Sequence, residues 1–116
     1  MSINFPSYTL RIIKDELEKD ETLLLAVPSN YLEGDTKTVG VLVLTDKRIR
    51  FKSHHDHVQN RKFSILLTDI NRIAPSHVEH WNRHNEVVVI EHADHRKIVF
   101  AIENPATFVS QVPKKP

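Results

Sequence analysis

Apolar residues first recur at helical spacing. Leu10, Ile13 and Leu17 are separated by Arg11, Lys14, Asp15, Glu16 and Glu18, which predicts an amphipathic helix over 8–19 with one buried stripe. Ser7, after Pro6, offers it an N-cap hydroxyl. From Glu21 to Ile102 the period changes. Val, Ile, Leu and Phe now come in short runs broken by turn residues, and they predict seven strands over 22–27, 39–45, 48–52, 61–67, 70–81 (broken at Pro75), 86–92 and 96–102. Alternation is cleanest where Ile49 and Phe51 oppose Arg48, Arg50 and Lys52, and again at Ile98, Phe100 and Ile102. These strands have one wet face.

The links at Asp46-Lys47, Thr68-Asp69, 82–85 and 93–95 are short, which implies antiparallel neighbours. Consecutive hairpins in so small a chain leave open edges unless the sheet curls into a barrel or sandwich. Asn104-Pro105 reads as an N-cap followed by proline at the first helical position, and Phe108 and Val112 lie four apart before Pro113. The expected fold class is therefore mainly β: a seven-stranded antiparallel barrel or sandwich with a short N-terminal helix and a capping C-terminal helix. Its parts are a helical lead-in over 1–20, the barrel with its helix over 21–112, and a tail over 113–116. The expected inward set is Leu42, Leu44, Ile49, Phe51, Phe63, Ile65, Val89, Ile98, Phe100 and Phe108. The same alternation places Val88, Ile90, Val99 and Ala101 outside, an apolar patch that a small monomer rarely leaves in water.

Composition narrows the possibilities. The 116 residues are 40% hydrophobic and 27% charged, with a formal net charge of +1, enough for one core and too balanced to suggest a nucleic-acid partner. With no cysteine, disulfides, thiol catalysis and cysteine-ligated zinc are excluded. No apolar run approaches the roughly 20 residues of a membrane span, and the first residues resemble no signal peptide. A cytoplasmic location is expected, with the inner membrane face as the peripheral alternative. No G-x-S-x-G elbow occurs, and Gly34 and Gly40 cannot build a phosphate-cradling loop. Neither an enzyme nor a cofactor is expected.

Charge is local. Residues 1–38 carry four basic against seven acidic side chains, and 39–62 carry six against two. Lys47, Arg48, Arg50, Lys52, Arg61 and Lys62 thus form a basic patch that an anionic headgroup or acidic peptide could meet; the plain alternative is a solvated face whose cations blunt strand aggregation. Lys37 followed by Arg48-Ile49-Arg50 imitates a phosphoinositide motif. One strand fills the interval, however, and it separates Lys37 from Arg48 by roughly 25–30 Å. His54, His55 and His57 with Asp56 have the composition of a metal site, but no converging ligands are evident in the sequence. Trp81, at a strand end, is either an exposed contact residue or a barrel plug.

The stretch Gly40–Phe51, GVLVLTDKRIRF, resembles the G-x-L-x-L-T-[DN]-[KR]-R-[IL]-x-F hairpin of bacterial pleckstrin-homology and GRAM-like domains. Phe63–Ile73 is similar to the strand and "DI" turn of that family, and the final strand pair precedes a short helix, as the family's does. The resemblance implies a PH-like barrel and a non-enzymatic module that binds lipids, peptides or other protein chains; protein–protein contact or self-assembly is the leading expectation. The alternatives are a peripheral adaptor for lipid or another acidic ligand, working through the basic hairpin, and a histidine-dependent metal-binding protein.

Overall fold

Seven runs of β-branched and aromatic residues become seven strands. The structure, a computed structural model, describes residues 16–34, 36–53, 62–80 and 83–113. Along the chain lie β1 (Leu23–Glu33), β2 (Thr36–Thr45), β3 (Arg48–Ser53), β4 (Lys62–Leu66), a single 3₁₀ turn (Leu67–Asp69), β5 (Ile70–His80), β6 (Arg83–His92), β7 (Lys97–Ala101) and a helix, α1 (Pro105–Gln111). Every pairing is antiparallel. The expected helix over 8–19 falls mostly outside the described residues, and 16–20 form turns and a bend. The reason is local: the Glu18 amide donates to the Glu21 carboxylate at 3.0 Å and the Glu21 amide to the Glu18 carbonyl at 3.0 Å.

The strands form one sheet in the order β4-β3-β2-β1-β7-β6-β5. It is open, with β4 and β5 at its edges, and this corrects the expected closed barrel. Yet the sheet is strongly curled. Phe51 on β3 and Phe100 on β7 stand three strand spacings apart, about 14 Å on a flat sheet, but their ring centroids are 5.3 Å apart. The covalent chain demands the curl, because β4 and β5 occupy opposite edges while only Leu67–Asp69 joins them, and three residues reach about 10 Å. Leu67 donates to the Lys47 carbonyl at 3.0 Å, and the Asp69 carbonyl accepts from Ala93 at 2.8 Å. These bonds pin the corner to the β2–β3 and β6–β7 hairpins.

Two prolines sit inside strands that the sequence suggested would break. β5 runs through Pro75 because an edge strand can turn the missing donor away from its partner. β1 runs through Pro28 because β7 reaches β1 only at Asn30–Leu32. Gly40, inside β2, lets the hairpin close: a Cβ there would stand 2.7 Å from the Phe51 ring and 2.9 Å from the Ser53 Cα. At the other end, Pro105 begins α1 and Phe108 is buried, but the Asn104 side chain makes no capping bond.

Leu42, Leu44, Ile49, Phe51, Ile65, Ile98, Phe100 and Phe108 are buried as expected, and Phe63 packs half-buried against them. The expected facing of β6 is wrong. Val88 and Ile90 have no exposed surface and belong to the core, since they lie opposite Phe100 and Ile98, whereas Val89 pairs with Val99 on the other face. Val87 is also fully buried, so the run is apolar on both faces and carries no phase of its own. Val88 and Ile90 are therefore not a contact surface; Val99 and Ala101 are half-buried. Phe100 lies among Tyr31, Phe51 and Phe63, with centroids at 5.5, 5.3 and 6.3 Å. Phe100→Ala should cost about 3–5 kcal/mol in chemical denaturation, and a change under about 1 kcal/mol would contradict this packing.

Candidate functional site

Among the described residues the basic patch brings candidate side chains together, and it comes with its own carboxylates. Arg48, Arg50 and Lys52 alternate with buried Ile49 and Phe51, so the strand's period of two aligns all three cations on its outer face. The segment 16–21 lies across that face. Both Arg48 and Glu21 reach the hairpin turn, where Arg48 Nε donates to Glu21 Oε2 at 2.8 Å and Arg48 Nη2 to Oε1 at 3.0 Å. Thr45 Oγ1 donates to Oε2 at 2.6 Å. The same hydroxyl oxygen accepts the Lys47 and Arg48 amides at 3.1 and 3.0 Å. Asp46 adds a further tie, accepting the Thr22 amide at 2.8 Å.

Farther along β3, Glu16 divides its carboxylate. Oε2 accepts from Arg50 Nη2 at 2.7 Å and Oε1 from Lys52 Nζ at 3.1 Å. The Glu16 carbonyl receives longer contacts of 3.4 Å from both Arg48 and Arg50. At the exposed hairpin tip Lys47 meets Asp20 at 3.2 Å. Beside the cations lies a second apolar cluster of Ala26, Val41 and Val43. Val43 is registered opposite Arg50 and Val41 opposite Lys52.

These contacts set the electrostatics. Burial works to raise the Glu21 pKa, but hydrogen bonds from Arg48, Thr45 and the Glu18 amide outweigh it and lower the value to about 2. Burial likewise opposes ionisation of Glu16, and the bonds from Lys52 and Arg50 still bring its pKa below the usual glutamate value. Arg48 is raised, chiefly by its bond to Glu21. Lys47 is raised and Asp20 lowered by their mutual hydrogen bond.

Arg61, His54, His55, His57 and Trp81 lie outside the described residues, and of Lys62 only the backbone, in β4, is described. Among the described residues no group of three metal-ligating side chains converges, and no helix is long and apolar enough to cross a membrane. His92 meets Asp94 at 3.0 Å in the β6–β7 turn, where Asp94 also accepts from Arg96 Nε at 2.7 Å. The sequence reading named the cations but missed Glu16, Glu21 and Thr45. A signal was present: the acidic excess of residues 1–38 mirrors the basic excess of 39–62.

No family model and no curated protein matches this chain. Among solved structures it is similar to the C-terminal domain of an unknown protein from Leishmania infantum, at 19% identity and a TM-score of 0.65, over 89% of this chain and 86% of that one. At this identity the likeness speaks for the fold alone.

A depressed carboxylate pKa stabilises the fold above its unfolded value and loses that contribution as pH falls through the folded one. For Glu21 the window runs from 4.5 down to about 2, and the stake is about 3 kcal/mol. Glu21→Gln should lower stability near neutral pH by about that amount and flatten the loss between pH 4.5 and about 2 in denaturant titrations. An unchanged acid profile would contradict the geometry.

Proposed function

We propose that this chain is a non-enzymatic PH-like binding module whose ligand is another polypeptide. The resemblance of Gly40–Phe51 to PH-like hairpins supports the reading, as do seven antiparallel strands followed by a helix. The observation that carries it is the occupancy of the β3 face. Arg48, Arg50 and Lys52 are already bonded to Glu21 and Glu16, the resident anions of this face. What the face does hold is a stretch of protein, gripped through two carboxylates and a backbone carbonyl. Edge strands offer a second means of polypeptide contact by strand addition. Along the β5 edge a groove of about 370 Å³ opens between Pro75, His77 and Pro105.

A polypeptide-binding module has no preference for anionic lipid. Flotation of the chain with anionic and with zwitterionic vesicles should show equal, weak retention, while sedimentation over about 1–300 μM should show concentration-dependent self-association. Retention on anionic vesicles alone, abolished by Arg50→Gln, would overturn the proposal in favour of a lipid-binding adaptor. Monomer throughout would remove self-assembly and leave a separate protein partner as the ligand.

A further inference from the structure

The acidic segment grips β3 with two unequal halves. At the hairpin end, Glu21 has no exposed side-chain surface and takes both bonds of the Arg48 fork, a bond from Thr45 and another from the Glu18 amide. Swinging this fully buried carboxylate out would break all of these bonds at once, so this end is an anchor. The other end rests on one carboxylate serving two cations. Side-chain exposures there are 29% for Glu16, 19% for Arg50 and 33% for Lys52, so water reaches the pair and its breaking leaves nothing stranded in the interior.

We propose that Arg50 and Lys52 form a docking site for an acidic polypeptide segment of another chain, and that Glu16 is its resident, displaceable occupant. The inference rests on the polypeptide-binding reading and names the chemistry of the partner. Arg50 and Lys52 stand two apart on one strand, about 7 Å along it. An extended segment with carboxylates at alternate positions has the same repeat. It supplies one carboxylate to each cation where Glu16 supplies one to both. Glu21 and Arg48 hold the lead-in at the hairpin meanwhile, so Glu16 swings out on a short tether and competes intramolecularly for the site. The face is thus closed by default and opens to a partner that carries more negative charge than one glutamate.

A fluorescein-labelled alternating Glu-Ser dodecapeptide is the probe, read by anisotropy at low salt. Glu16→Gln should bind it about tenfold more tightly than the unsubstituted chain. Adding Arg50→Gln and Lys52→Gln to that variant should abolish the gain, and added salt should weaken it. Equal affinity for Glu16→Gln and the unsubstituted chain overturns the proposal. So does a gain that survives loss of both cations, or one that appears with anionic vesicles and not with the peptide. Should Glu16→Gln fold poorly, amide NMR of the unsubstituted chain decides. Peptide should shift Glu16, Arg50 and Lys52 and leave Glu21 in place; no shift at millimolar peptide refutes displacement. Failure of displacement alone leaves the broader reading intact, since vesicle flotation and sedimentation test that independently.

Discussion

A buried carboxylate needs several donors, and the placement of those donors organises one end of this molecule. Glu21 finds them in Arg48, Thr45 and the Glu18 amide. To bring them together, the β2–β3 hairpin must turn at Asp46-Lys47, and the chain entering β1 must come back across that turn. The bond between Thr22 and Asp46 and the contact between Lys47 and Asp20 follow from this approach. Glu16 is then delivered to the outer face of β3, where it meets Arg50 and Lys52. Electrostatics here fixes chain path and adds stability together, because the bonds to Glu21 outweigh the cost of burying it.

A second constraint acts on the opposite face. Three residues link the two edge strands, so the sheet must curl, and the curl gathers rings from β1, β3, β4 and β7 into one aromatic core. The sheet does not close, and its corner directs backbone bonds to Lys47 and Ala93. The same Lys47 belongs to the turn that contacts the acidic lead-in. Core curvature and the charged outer face therefore meet at one hairpin.

Much of this architecture was legible in the residues. Alternation identified β3 and β7 because each has one wet face. Side-chain phase failed at Val87–Ile90, where burial on both faces erases the period, and only pairing with Ile98 and Phe100 restores it. Strand ends failed at Pro28 and Pro75, because proline forbids a donor and not a strand, and which flank lacks a partner is a property of the whole sheet. The basic stripe was visible as composition. Its saturation by Glu16 and Glu21 was not, since sequence separations of 27 and 34 residues become contacts only once the lead-in folds back. Charge complementarity between the two segments was the available clue, and it pointed inward instead of toward a ligand.

β3 presents its cations to the chain's own carboxylates. Site-resolved carboxyl NMR titration tests this most directly, because each glutamate reports its own environment. Glu21 should titrate at about 2, and Glu16 below its ordinary value of 4.5. Titration of both at 4.5 would mean that neither carboxylate rests on the cations, and that the basic face of β3 is bare.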